Sequence, residues 1–105
     1  MKIYENLYVS EYVAPKKEKI VSKLKEGKIP FTYYILVLLE EGENQLEFYS
    51  AALLYQEKLR EEELFIVGIA ASYEDSLYLV EDITREVFEH TGDVDIRSYI
   101  LNKGK

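Results

Sequence analysis

The sequence predicts a small layered α/β domain in which helices cover a short, mainly parallel sheet. Two segments, at about 31–39 and 64–71, are apolar without the polar alternation of a strand that has one face in water. The connecting residues 40–63 are numerous enough for a crossover helix, the usual link between parallel strands. We therefore expect one domain over 1–105, with helices at about 15–26, 44–60 and 73–90 and a short C-terminal helix at about 95–101.

The later of these strands carries small residues on one side. If side chains alternate, Gly68 and Ala70 share one face, opposite Phe65, Val67 and Ile69. A face of glycine and alanine lets a helix with bulky side chains approach closely. A ligand near the strand end is the alternative use of such small residues, and we favour helix packing.

The helix at 73–90 has start and stop signals. The hydroxyl of Ser72 is placed to cap its first turn, and Gly92 is a stop just past its end. Tyr78 falls among acidic residues on the side expected to face water. The predicted core face consists of Leu77, Val80, Ile83, Thr84, Val87 and Phe88.

The other helices have similar punctuation. Pro15 suits the first turn of the helix at 15–26, and Gly27 follows its end. The helix at 44–60 opens with Asn44 and, three residues later, Glu47, which resembles a capping box. Leu54 falls in the middle of its polar side, so we expect it to be exposed.

The two ends of the chain each allow two interpretations. Residues 7–9 suit a short strand, although Tyr4, Tyr8 and Tyr12 would share one face if this segment were helical. Residues 95–101 suit a short helix capped by Asp95, with an edge strand as the alternative.

Composition and charge exclude several classes of function. The chain has no cysteine, which excludes disulfides and thiolate chemistry. Residues 40–95 hold sixteen acids against three bases, which disfavours nucleic acid as a partner. The longest apolar run is far shorter than the ~20 residues of a membrane helix, and no signal peptide is apparent, so we expect a soluble cytoplasmic protein without membrane contact.

Groups for catalysis are scarce. His90, the sole histidine, falls in the last turn of a predicted helix, where its charged form would interact favourably with the helix dipole. Ser72 has no histidine near it in sequence and lies in no nucleophile-elbow motif. An enzyme is therefore the least favoured class, and the sequence indicates no cofactor and no specific metal site.

Two functional hypotheses remain. The favoured one is a non-catalytic interaction or regulatory module that forms a homodimer, because the chain has ten tyrosines, which are preferred at interfaces, and outward Leu54 and Tyr78. Another protein is a further possible partner. The alternative is a domain that binds a small molecule or a divalent cation at the carboxyl ends of the central strands, through Glu40, Glu41, Glu43, Asn44, Ser72, Tyr73 and Glu74.

Overall fold

The elements follow one another in a mixed α/β order. The computed structural model describes residues 2–30, 32–39, 46–55 and 64–103. In chain order they form β1 (Lys2–Val9), a 3-10 turn (Ala14–Lys16), α1 (Lys17–Lys25), β2 (Tyr34–Leu39), β3 (Glu47–Ser50), α2 (Ala52–Tyr55), β4 (Leu64–Ala70), α3 (Tyr73–Thr91) and α4 (Ile96–Lys103). These strands make one sheet in the order β1-β4-β2-β3. The predicted α/β class is confirmed.

The direction of strand pairing differs from the prediction. β4 is parallel to β1 and antiparallel to β2, and β2 is antiparallel to β3. The expected parallel pairing of the two apolar strands is therefore wrong, since Tyr34 lies beside Ala70 and Leu39 beside Leu64. A continuous apolar strand indicates that helices bury both of its faces, and an antiparallel strand can be buried in the same way.

The predicted helix at 44–60 is also corrected. Residues Glu47–Ser50 form β3, and a short helix follows only at Ala52–Tyr55. Residues 44–45 and 56–60 lie outside the described ranges. Pairing of Leu36 with Phe48 and of Ile35 with Tyr49 provides ladder hydrogen bonds and cross-strand contacts, which override the local helical spacing of apolar residues.

Helices cover the sheet on both faces. On one face, Ile20 and Leu24 of α1 pack with Ile35, Ile66 and Ile69 of the sheet. On the other face, α3 and α4 pack against a second cluster that contains Leu36, Leu38, Val67, Ala70, Leu79, Ile83, Val87, Ile96 and Ile100. The sheet is thus the middle layer of three, and α1 is separated from α3 by its thickness.

A bulge in β4 changes which residues share a face. Leu36 pairs with Gly68, but the next residue of β2, Val37, pairs with Ile66, which leaves Val67 as an extra residue. As a result Phe65 and Val67 lie on the same side as Ala70. The expected placement of Phe65 and Val67 opposite Gly68 is therefore wrong, because simple alternation fails at a bulge.

The small side of β4 receives a helix, as predicted, and that helix is α3. A Cβ built on Gly68 would lie 3.3 Å from Leu36 Cβ and 3.3 Å from Leu79 Cδ2. Leu79 is buried together with Ser76, Ile83 and Val87. This contact rotates α3 relative to the expected core face, so that Leu77 and Phe88 are exposed instead of buried.

The helix-end signals at Ser72, Gly92 and Asp95 are confirmed, whereas Glu47, expected in a capping box, begins β3. Ser72 Oγ accepts the backbone N–H of Asp75 at 3.1 Å, and Gly92 ends α3 with a φ of 74°. The N-terminal segment is a strand, and α4 begins after Asp95, whose Oδ1 accepts the N–H of Ser98 at 3.1 Å. Among the described helices, none combines the length and apolar character that crossing a membrane requires.

Substitution of Gly68 tests the close approach of α3. We expect Gly68→Ala to lower the free energy of unfolding by about 1–3 kcal/mol, since the added methyl group overpacks the contact with Leu36 and Leu79. Chemical denaturation followed by circular dichroism measures the change. In a Leu79→Ala background the same substitution should cost less, because one of the two close contacts is gone. An equal cost in both backgrounds would show that Leu79 is not what limits the space.

Candidate functional site

The two predicted ligand loops start at opposite ends of the sheet. Leu39, which precedes Glu40, lies beside Leu64 at the start of β4, whereas Ala71 follows its end. With a rise of about 3.3 Å per residue, the two positions are roughly 20 Å apart. Side chains Glu40, Glu41, Glu43 and Asn44 lie outside the described residues, so their part in a ligand site stays a prediction.

The other predicted ligand residues each have a separate structural position. Ser72 caps α3 through its Oγ, and its carbonyl accepts the hydroxyl of Ser76 at 2.9 Å. The ring of Tyr73 lies 5.4 Å from that of Phe48 and 6.2 Å from that of Tyr34, measured between centroids. Glu74 is exposed. Of these three, Glu74 borders a groove on one flank of α3.

This groove, which we call the α3–β3 groove, has a volume of about 540 Å³. Its apolar part comes from Phe48 of β3 and from Leu77, Tyr78 and Val80 of α3. Glu74 and Glu81 add carboxylates to its lining. Such a surface suits contact with an apolar segment of a protein better than it suits a phosphate or another anion.

The predicted interface residue Tyr78 is 65% exposed and belongs to the groove. Leu77, which was expected in the core, is 46% exposed beside it. The second predicted interface residue, Leu54, belongs to α2, and its side chain lies outside the described structure. Sequence spacing missed Leu77 because the rotation of α3 depends on where Gly68 admits Leu79.

A second concave site, the strand-end cleft, lies where the parallel strands β1 and β4 end. It encloses about 340 Å³ between the turn after β1 and the first turns of α3. Its polar lining consists of Ser10, Glu11, Tyr12, Asp75, Tyr78 and Asp82. Asp75 is only 7% exposed, and its Oδ2 accepts the N–H of Ala71 at 2.7 Å. The sequence could not identify this cleft, since it requires the pairing of β1 with β4.

A tyrosine cluster, formed by Tyr4, Tyr8 and Tyr99, lies between β1 and the helices α3 and α4. The hydroxyl of Tyr8 donates a hydrogen bond to Glu86. Burial, this hydrogen bond and the negative charge of Glu86 raise the pKa of Tyr8 well above its usual range, so the phenol stays protonated. His90 stacks on Tyr99 with a centroid distance of 5.9 Å. A protonated phenol and a stacked imidazole resemble structural groups more than a nucleophile and its base.

Acidic residues do not gather into a metal centre in the described ranges. Within 2–30, 32–39, 46–55 and 64–103, no three side chains of histidine, aspartate or glutamate are grouped so that they could hold a metal ion. The acids at 40, 41, 43 and 61–63 fall outside these ranges. The described acids are instead spread over several elements, with exposed ones on α3 and three at the strand-end cleft.

Comparison with known proteins does not indicate a function. No protein-family model matches the chain, and no similar protein was found among curated proteins or solved structures. The α3–β3 groove and the strand-end cleft are therefore the two candidate sites in the described part of this chain.

Removal of the Tyr8 hydroxyl tests whether this cluster stabilises the fold. We expect Tyr8→Phe to reduce the free energy of unfolding at neutral pH by about 1–2 kcal/mol, because Glu86 loses a hydrogen-bond donor in a partly buried position. Denaturant titration measures the loss, and Tyr12→Phe, at an exposed ring, is the matched control. A loss no larger than that of the control would contradict the structural role of this bond.

The same variant has a pH signature. Folding raises the pKa of Tyr8. Its stabilising contribution to the free energy of unfolding is therefore complete below the unfolded pKa of 10.0 and declines as the pH rises above 10. The free energy of unfolding of the natural protein should therefore fall more steeply above pH 10 than that of Tyr8→Phe. Parallel curves above pH 10 would contradict the raised pKa.

Proposed function

We propose that this protein is a non-catalytic interaction module of the cytoplasm that acts as a homodimer through the α3–β3 groove. The observation that carries this proposal is the set of exposed apolar side chains beside an edge strand. Leu77 and Tyr78 of α3 flank Phe48 of β3 along one continuous groove. Apolar patches of this kind are typical of protein contact sites.

The edge strand supports association with a second copy. β3 pairs with β2 on one side and has no strand on its other side among the described residues. Pairing of β3 with its symmetry mate would extend the sheet across a two-fold axis, which is the commonest symmetry of dimers. A strand of four residues supplies few hydrogen bonds, so apolar contacts from α3 must provide most of the free energy.

The apolar contacts supply part of the free energy of association. Full burial of a leucine or phenylalanine side chain stabilises by about 1.5–3 kcal/mol. Leu77 is 46% exposed and Phe48 is already partly buried, so burial of what remains exposed, in both copies of a two-fold dimer, would contribute only about 2–4 kcal/mol before the cost of association. A micromolar dimer requires about 8 kcal/mol net, so we expect a weak dimer that forms at high protein concentration.

Charge favours the groove contact over two other ways in which two copies could associate. The outer face of α3 carries exposed Glu74, Glu81 and Glu89, so two copies of that face would repel each other. Glu74 and Glu81 also border the groove, so the proposed contact along β3 must leave these two carboxylates at its solvent-exposed rim. The lysines of α1 lie on the opposite layer, and their contact with α3 of another copy would be head-to-tail, which builds chains or rings instead of closed dimers.

A charge in the groove tests the proposed dimer. We expect the natural protein to have the mass of a dimer and Leu77→Glu to have the mass of a monomer, since the variant places a carboxylate in an apolar contact. Light scattering coupled to size-exclusion chromatography, over a range of concentrations, gives both masses.

Leu101→Glu is the matched control, because Leu101 is 43% exposed on α4 and does not line the groove. It adds the same charge and should leave the dimer intact. A monomeric natural protein at all concentrations would refute the homodimer, and a dimer that survives Leu77→Glu would refute this site. Growth in mass beyond a dimer would instead favour the head-to-tail contact between α1 and α3.

A further inference from the structure

Ser10 places a buried hydroxyl, which no described residue hydrogen-bonds, at the strand-end cleft. Its N–H donates to the carbonyl of Ile69 at 3.1 Å, and its own carbonyl accepts the N–H of Val13 at 3.0 Å and of Ala14 at 2.9 Å. These bonds fix its backbone. The residue is only 4% exposed, and its Oγ has no hydrogen-bond partner among the described residues.

The direction of this hydroxyl follows from strand alternation. Tyr8, two residues earlier, faces α3 and bonds to Glu86, so the side chain of Ser10 faces the same layer and contributes to the cleft. A buried hydroxyl that lacks a partner costs free energy, and native proteins almost always satisfy it. A polar group of a bound molecule in the cleft would satisfy Ser10 Oγ.

The charged residues around Ser10 determine whether a cation or an anion would bind in the cleft. Glu11, Asp75 and Asp82 line the cleft, and among the described residues no lysine, arginine or histidine does. Asp75 is almost fully buried, so its interaction with a cation is screened little by water or salt. Asp82 pairs with Arg85 at 3.3 Å, but both side chains of this pair are largely exposed, which makes the interaction weak. The cleft therefore favours a cation.

The groups that line the cleft favour an organic cation over a metal ion. Mg²⁺ and Ca²⁺ require about six oxygen ligands within roughly 2.6 Å, and the described acids form no such group. Tyr12 and Tyr78, both with exposed rings, also line the cleft. Aromatic rings attract ammonium groups through their negative faces. A primary ammonium has three N–H donors, which the Asp75 carboxylate and Ser10 Oγ can accept.

We propose that the strand-end cleft binds the primary ammonium group of a small aliphatic amine. Asp75 and Ser10 accept its hydrogen bonds, Glu11 and Asp82 contribute negative charge, and the two tyrosine rings contact its methylene groups. The volume of about 340 Å³ lies at the lower end of the range for small-molecule sites, roughly 300–1,000 Å³. This activity is separate from dimer formation, although Tyr78 belongs to both surfaces.

Titration of the intact protein with 1,4-diaminobutane tests this proposal. We expect saturable changes in the ¹⁵N–¹H NMR signals of Ser10, Glu11 and Asp75. Mg²⁺, which carries the same charge, should not reproduce them at equal ionic strength. Choline, which has no N–H donor, should bind at least about tenfold more weakly, which corresponds to about 1.4 kcal/mol.

Matched variants separate the cleft from general attraction to an acidic protein. Glu11→Gln with Asp82→Asn should weaken binding about tenfold or more, whereas Glu5→Gln with Glu89→Gln, which removes two exposed acids elsewhere, should change it less than about twofold. Ser10→Ala should weaken binding while it leaves thermal stability without amine equal or higher, because it removes an unsatisfied hydroxyl.

Several results would overturn the proposal. These are the absence of saturable binding, equal affinity for Mg²⁺ and diaminobutane, equal weakening by both double variants, and unchanged binding in Ser10→Ala. The Leu77→Glu variant should retain amine binding, so failure of the amine site is distinguishable from failure of the dimer.

Discussion

The central position of β4 is the constraint on which the rest of the structure depends. β4 is hydrogen-bonded to β1 on one side and to β2 on the other. Helices also bury both of its faces, so nearly every side chain from Leu64 to Ala70 lies in one of the two cores. Such a strand has no freedom to change register or face without exposure of apolar area, at about 25 cal/mol per Å².

One contact on β4 determines both candidate surfaces. Gly68 admits Leu79, which fixes the rotation of α3 over the sheet. With Leu79 directed inward, Leu77 falls on the flank toward β3, while Asp75 and Asp82 fall on the flank toward β1. The α3–β3 groove and the strand-end cleft are thus two sides of the same helix. A different rotation of α3 would bury Leu77 and leave no apolar groove.

The three layers also separate charges of opposite sign. Lysines are concentrated on α1, and exposed carboxylates on α3, with the sheet between them. Both candidate surfaces therefore lie in the acidic layer, which favours cationic ligands for the cleft and disfavours a back-to-back contact of α3 helices. Salt should affect these two surfaces differently, since the groove is mainly apolar whereas the cleft carries three carboxylates.

The sequence by itself determined the features that depend on neighbouring residues. Ser72, Gly92 and Asp95 mark helix ends through bonds that span three or four residues, and their positions in the structure agree with the expected ones. The apolar runs at 31–39 and 64–71 likewise predicted two buried strands, and β2 (Tyr34–Leu39) and β4 have buried side chains on both faces among their described residues. These features can be predicted from the sequence because the residues that produce each one lie within a short segment of chain.

Only the tertiary structure decided the direction of pairing, the existence of β3, and the rotation of α3. An apolar run indicates that both faces of a strand are buried, but it does not indicate the direction of the neighbouring strand. For this reason β2 was predicted parallel to β4, whereas it is antiparallel. The bulge at Val67 and the approach of Leu79 to Gly68 depend on residues distant in sequence. Ser10 and Asp75 become one site only when β1 pairs with β4, because hydrogen bonds between remote strands leave no pattern in either strand alone.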